Sequence, residues 1–120
     1  MSTAANIVVA VVALIHVYIL ILEMFLWDKP AGLRAFGQTQ QVATASKVLA
    51  ANQGLYNGFL VAGLVWGLVT SPPEQALAVK TFFLACVITA GAFGAATVSR
   101  RIFVVQALPA IIALVLLRVA

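Results

Sequence analysis

Charged residues are scarce in this sequence: Asp, Glu, Lys and Arg make up 8% of its 120 positions, whereas hydrophobic residues make up 64%. Soluble domains carry roughly 25% charged residues, so this composition excludes an ordinary soluble domain and is typical of a membrane protein. The single cysteine, Cys86, excludes an internal disulfide framework. Gly-rich phosphate loops, catalytic-triad motifs and clusters with metal-ligand spacing are also missing. We therefore expect no metal and no cofactor, and the one histidine would supply only one axial ligand to a haem.

Long apolar runs dominate what is present, and the mean hydropathy is +1.14. A membrane-spanning helix needs about 20 mostly apolar residues, and breakers such as "DKPAG" and "TSPPEQ" separate the runs. The sequence predicts an all-α membrane protein, a four-helix antiparallel transmembrane bundle that forms a single integral-membrane domain. The predicted spans cover residues 4–27, 47–69, 75–98 and 102–119. An interfacial helical turn would fit in the polar linker between the first two spans.

The seven basic residues are scattered along the chain, although the net charge is +4. A nucleic-acid-binding surface needs a clustered basic face, so we expect no nucleic-acid partner. Basic loops stay cytoplasmic, and the loops after the first and third spans hold most of the basic residues. Both termini are therefore predicted to lie outside. Two basic residues on the opposite side are interpreted as snorkelling side chains, and these are Lys80 and Arg118.

The first span carries polar residues on one helical face. His16, Glu23 and Trp27 are spaced by seven and then four residues, which keeps them on the same side of a helix. Glu23 is predicted to lie roughly 6 Å inside the cytoplasmic boundary and His16 roughly 16 Å inside it. A charged carboxyl at the centre of a span costs about 2.5–3.5 kcal/mol even on the gentlest scale, so such residues are usually functional.

The second span contains a cluster of amides at a similar depth. Asn52, Gln53, Tyr56 and Asn57 lie in "NQGLYNG", and amides are unfavourable in lipid unless their hydrogen bonds are satisfied. We expect them to face the bundle interior and to meet Glu23 and His16. The glycines Gly54 and Gly58 in the same stretch would let the first and second spans approach closely. Gln106 on the fourth span is predicted to lie in the same half of the membrane, where Pro109 would free a backbone carbonyl nearby.

The stretches "HVYILILEMFLW", "KVLAANQGLYNGFLVAGLVWGL" and "FFLACVITAGAFGAATVSRRIFVVQALPAIIALVL" resemble the bacterial small integral-membrane family known as domain of unknown function 1304. The resemblance covers essentially the whole chain. It implies a small multi-pass protein of the bacterial inner membrane with four helices, whose termini would then both be periplasmic. It implies no activity and assigns no catalytic residue.

Three functions are compatible with the polar residues. In the first, the protein is an intramembrane acid/base enzyme for a lipophilic small molecule, and Glu23 and His16 are catalytic. The substrate-binding residues would then be Asn52, Gln53, Asn57, Tyr56, Trp27 and Gln106. In the second, the protein is a proton-coupled exporter or channel that forms a homo-oligomer, and Glu23 binds protons. In the third, it is a structural or accessory subunit whose amides only hold helices together. Membrane lipid surrounds the protein in all three.

Overall fold

The computed structural model describes residues 3–119, and these residues contain helices and no strand. The helices are α1 (Thr3–Met24), α2 (Pro30–Phe36), α3 (Gln40–Val69) and α4 (Pro73–Thr97), followed by α5 (Arg100–Val119). All except α2 are long and apolar enough to cross a membrane, which makes four candidate spans. The predicted fold class, an all-α four-helix transmembrane protein, is confirmed.

Two helices differ by three residues or more from the predicted bounds of their spans, and local hydrogen bonds accompany both differences. α3 begins at Gln40 rather than near residue 47 because Thr39 caps it: the Thr39 hydroxyl accepts a hydrogen bond from the Val42 backbone N–H at 3.2 Å. α1 ends at Met24 rather than at Trp27. The regular hydrogen-bond pattern stops there, since the backbone N–H groups of Phe25 and Leu26 both bond to the carbonyl of Ile21.

The expected helical turn in the linker is α2. Proline at its first position suits a helix start, because proline has no N–H to leave unsatisfied. The helix ends at Phe36 and is followed by Gly37, whose φ of 60° is left-handed and favours glycine.

The chain divides into two compact units. We call residues 3–15 and 60–119 the core unit and residues 16–59 the linker unit, within the described range. The core unit combines the first part of α1, the last part of α3, and α4 and α5. Its fully buried hydrophobic cluster takes residues from all four helices, including Val9, Leu64, Leu84 and Ala113. The linker unit combines the last part of α1, α2 and the first part of α3.

Successive spans run antiparallel within each unit. In the core unit Gly63 lies against Phe83 and Gly67 against Lys80, so α3 and α4 run in opposite directions. Gly91 lies against Ala107, and farther along α4 Gly94 lies against the earlier Ile102 of α5. In the linker unit, Gly54 lies against Met24 and Gly58 against Leu20, which gives the same relation between α1 and α3.

Candidate functional site

A hydrogen bond between two helices defines the candidate site in the linker unit. The side-chain Nδ2 of Asn57 on α3 donates to Oε1 of Glu23 on α1 at 2.5 Å. Glu23 as a residue is only 8% exposed, so its side chain packs mainly against protein. Buried polar groups are nearly always hydrogen-bonded. Asn57 is thus the residue that stabilises a carboxyl inside a candidate span.

His16 lies on the same face of α1 as Glu23 and is completely buried. The two residues are seven positions apart, which corresponds to about two helical turns, or roughly 10 Å along the helix axis. The sequence predicted that these two residues share a face. Their burial shows that this face packs against protein. Their roles as catalytic groups stay a prediction.

The glycines of α3 allow the close approach that the Asn57–Glu23 bond requires. A Cβ atom added at Gly54 would lie 2.5 Å from Cγ of Met24 and 3.1 Å from Cβ of Glu23. One added at Gly58 would lie 3.1 Å from Cδ1 of Leu20. A side chain at Gly54 would therefore clash with α1, and one at Gly58 would require the Leu20 side chain to move. The predicted packing of the first two spans through this glycine face is therefore present in the structure.

Three other polar residues of α3 lie outside the site. Asn52 and Gln53 are exposed, and Tyr56 is 55% exposed with its ring edge-on to Phe59 at 5.7 Å between centroids. The expectation that these residues face the interior differs from the structure. At about 100° per residue, Asn52 and Tyr56 are each about 160° from Gly54 around the helix, whereas Asn57 is only about 60° away. The position of Gly54 in the sequence could have shown that Asn57 lies on the packed side of the helix and that Asn52 and Tyr56 lie on the opposite side. Substrate binding by these three residues stays a prediction.

Trp27 connects the end of α1 with α2 and α3. Its indole Nε1 donates to Oγ of Ser46 at 3.0 Å, and its ring lies 4.7 Å from that of Phe36 between centroids. Ser46 precedes Asn57 by eleven residues, so the two lie about 16 Å apart along α3. The observed contacts are those of a residue that holds α2 in place. Substrate binding by Trp27 stays a prediction.

An ion pair lies next to Trp27 in the same unit. Nζ of Lys47 is 3.2 Å from Oδ2 of Asp28, and this contact joins the turn after α1 to α3. The hydrogen bond from Lys47 holds the pKa of Asp28 below its ordinary value. Asp28 lies four residues beyond Met24, the last residue of α1, so the pair holds the turn after the first span against α3.

Gln106 lies in the core unit, within a π-helical turn of α5. The turn covers Phe103–Ala107, and the backbone N–H of Leu108 bonds to the carbonyl of Phe103 across it. Pro109 has no N–H to donate to the carbonyl four residues earlier, and a widened turn accommodates that loss. The sequence predicted that Pro109 would free a backbone carbonyl nearby. In the structure, a π-helical turn lies just before this proline. Gln106 itself is half-buried.

Sequence reasoning missed a second buried charged group, Lys80. Its interpretation as a snorkelling side chain is wrong, because only 2% of the residue is exposed and its Nζ donates to Oδ1 of Asn6 at 2.6 Å. The pattern in α4 would have indicated this burial. Lys80 continues a stripe of buried residues spaced by four, four, three and four, which also contains Ala76, Leu84, Val87 and Gly91. Arg118, the other residue given this interpretation, is exposed.

Within residues 3–119, no three His, Cys, Asp or Glu side chains lie together in an arrangement that could hold a metal ion.

The chain is similar to a family of known sequences and to a curated protein. The profile of a family described as "Protein of unknown function (DUF1304)" matches residues 10–118. The uncharacterized protein YpaA of Lactococcus lactis subsp. lactis (strain IL1403) is 31% identical over 106 residues, which cover 87% of each chain. No solved structure matches.

Proposed function

The chain belongs to the DUF1304 family, whose description gives no activity, and from its own site we propose that it acts on a lipophilic small molecule by proton transfer at Glu23. The observation that supports this proposal is the hydrogen bond from Asn57 to the carboxyl of Glu23, a buried residue inside a candidate span. Ionisable groups are unfavourable at such positions and are usually functional where they occur.

The contacts of the site suggest a role for each residue. Asn57 donates to one carboxyl oxygen, Oε1, and thereby fixes the orientation of the Glu23 side chain. The second oxygen, Oε2, is then the atom that gives or takes the proton of a substrate, as a general acid or base does. Asn57 acts as a positioning residue. His16, buried on the same face of α1, would be the second proton-transfer group.

The proposal includes an orientation in the membrane. Lys29, Arg34 and Lys47 belong to the region near α2, which the positive-inside rule assigns to the cytoplasm. Glu23 would then lie in the cytoplasmic half of a bacterial inner membrane, and both termini would be periplasmic. A lipophilic substrate would reach the site from the lipid.

A proton-coupled exporter is the second candidate, and the burial of Lys80 favours it. Lys80 provides the core unit with a buried ionisable group inside a span, while Glu23 provides one in the linker unit. Transporters use ionisable groups of this kind along their proton paths. This candidate predicts movement of a substrate across the membrane without chemical change.

The test is a comparison of Glu23→Gln with the wild-type chain in a bacterial host. Glutamine keeps the shape and an oxygen that accepts from Asn57, but it cannot exchange a proton. Lipid-soluble metabolites are extracted from cells and medium and compared by mass spectrometry. We expect wild-type expression to convert at least one lipophilic metabolite into another, and Glu23→Gln to abolish the conversion while the thermal midpoint in detergent is unchanged.

Glu74→Gln is the matched control, because Glu74 is exposed in the first turn of α4 and the substitution removes the same group. This variant should convert the metabolite like the wild type. A metabolite that only moves from cell to medium, together with proton uptake by proteoliposomes, would replace the enzyme by the exporter. If Glu23→Gln gives the wild-type metabolite profile and distribution, both proposals fail and the Glu23–Asn57 contact is structural.

A further inference from the structure

Lys80 places a buried amino group in the core unit without an acidic partner. Among residues 3–119 its Nζ forms no ion pair, and it donates a hydrogen bond to Oδ1 of Asn6 at 2.6 Å. An ammonium group has three protons to donate, so this bond uses one of them. Buried charges are normally paired with an opposite charge. When Lys80 is protonated, an anion beside it would supply the charge that the core unit lacks.

A small cavity lies beside this ammonium group. It has a volume of about 160 Å³, and Lys80, Asn6, Thr70 and Ser71 are among the residues that line it. Ser71 and Pro73, which also lines the cavity, are exposed, so the cavity opens at the connection between α3 and α4. No lining residue is acidic.

The polar groups of the cavity are suited to an oxyanion. Asn6 uses its Oδ1 to accept from Lys80, which leaves its Nδ2 group as a donor. The Ser71 hydroxyl is another donor, whereas the Thr70 hydroxyl donates to the carbonyl of Trp66 at 2.5 Å. The cavity also lies at the N-terminal end of α4, where the helix dipole favours negative charge. Two donors and a cation thus meet at one opening.

Gly67 explains why Lys80 is held in this position. A Cβ atom at Gly67 would lie 2.5 Å from Cγ of Lys80 and 3.2 Å from its backbone nitrogen. The glycine therefore gives the stem of Lys80 a place between α3 and α4. A larger residue at this point would displace the stem and, with it, the ammonium group.

We infer that this cavity binds one oxyanionic group, a phosphate or a carboxylate, with Lys80 as its counter-charge. The volume supports a single small group, because pockets for drug-sized ligands have about 300–1,000 Å³. Two sources can supply such a group: the headgroup of an anionic lipid, with its acyl chains outside the cavity, or a free anion from the aqueous phase. The inference concerns the core unit and is independent of the function proposed for Glu23.

The experiment uses the full chain purified in a nonionic detergent. One arm adds dihexanoyl phosphatidylglycerol, and a second adds inorganic phosphate or acetate at constant ionic strength with chloride as reference. Binding is measured from the rise in the thermal midpoint, and lipid retention is measured by native mass spectrometry. We expect a saturable rise in at least one arm. A response to the lipid alone identifies a headgroup site, and a response to the free anions identifies an aqueous ligand.

Lys80→Met tests the residue that carries the inference. Methionine retains an unbranched stem over Gly67 but removes the charge, so the apparent affinity should fall by about tenfold or more, as expected for losing a charged hydrogen bond. Arg118→Met is the matched control, because it removes an exposed cation from the same unit. It should respond like the wild type. Equal responses of Lys80→Met and the wild type, or no saturable response of the wild type in either arm, would overturn the inference.

A second variant keeps the test decisive if Lys80→Met does not fold. Asn6→Asp places a carboxylate 2.6 Å from the ammonium group, where the Asn6 oxygen now lies. This internal anion should raise the thermal midpoint without ligand and weaken binding of the added anion by about tenfold. An Asn6→Asp chain that binds the anion as tightly as the wild type would contradict a site built around the unbalanced charge of Lys80.

Discussion

Asn57 and Glu23 join α3 to α1 through a 2.5 Å hydrogen bond from an amide nitrogen to a buried carboxyl oxygen. The two residues are 34 positions apart in the chain, and α2 lies between them in sequence. The contact depends on Gly54 and Gly58, which bring the helix backbones close together. At this close crossing the amide of Asn57 is partly shielded from other hydrogen-bond partners, whereas the amide of Asn52 is exposed.

Replacing Asn57 by leucine should destabilise the protein by about 1–3 kcal/mol, because Glu23 would lose the donor that compensates for its burial. Asn52→Leu is the matched control, since Asn52 is an exposed amide of the same helix and should tolerate the change. Thermal unfolding in detergent measures both. A larger loss for Asn52→Leu than for Asn57→Leu would contradict this account and indicate that a second copy of the chain covers the exposed amide.

Gly58→Leu should destabilise the contact between α1 and α3. The added side chain begins 3.1 Å from Cδ1 of Leu20, and overpacking of this kind typically costs about 1–3 kcal/mol. Ala45→Leu, at an exposed position of the same helix, provides the comparison and should have a small effect. If both variants unfold at the same temperature as the wild type, α1 and α3 do not pack closely at Gly58.

The ion pair between Asp28 and Lys47 predicts a pH dependence. The pKa of Asp28 is lowered in the folded protein, first by the hydrogen bond from Lys47. The pair therefore stabilises the fold fully above the pKa of an unfolded aspartate, about 4. This contribution is lost as the pH falls through the lower folded pKa. Asp28→Asn should flatten the decline of the thermal midpoint below about pH 4, since it removes the titrating group.

Lys47→Met should flatten the same part of the pH profile, because it leaves Asp28 without its partner. The double variant should show no further flattening if the two residues act as a pair. Independent, additive effects of the two substitutions would contradict a direct interaction across the 3.2 Å contact.

Reporter fusions test the proposed orientation. Alkaline phosphatase fused after the C-terminal residue should be active, because the positive-inside rule places both termini in the periplasm. Green fluorescent protein inserted at Gly37, next to the basic region of α2, should fluoresce in the cytoplasm. An inactive phosphatase together with a dark insertion at Gly37 would reverse the orientation and move Glu23 to the outer half of the membrane.

The sequence alone determined that the protein has four apolar helices and that Glu23 and His16 share one face. A long apolar run has few possible structures in lipid other than a helix, because each backbone polar group must be bonded within its own segment or within a closed barrel. A shared face follows from the helical repeat, which is the same in every α-helix. The glycine face of Gly54 and Gly58 was also predictable, since only small residues permit close crossings.

Tertiary structure decided which polar residues are buried. A helix can turn about its own axis without changing its sequence pattern, and packing of the neighbouring helices sets that rotation. In α3 the packing buries Gly54 and brings Asn57 to Glu23, so Asn52 is left on the opposite, exposed side. In α4 it turns Lys80 towards Asn6, 74 positions earlier in the chain. Partners so distant in sequence are chosen by the fit of helix surfaces, which no single helix determines by itself.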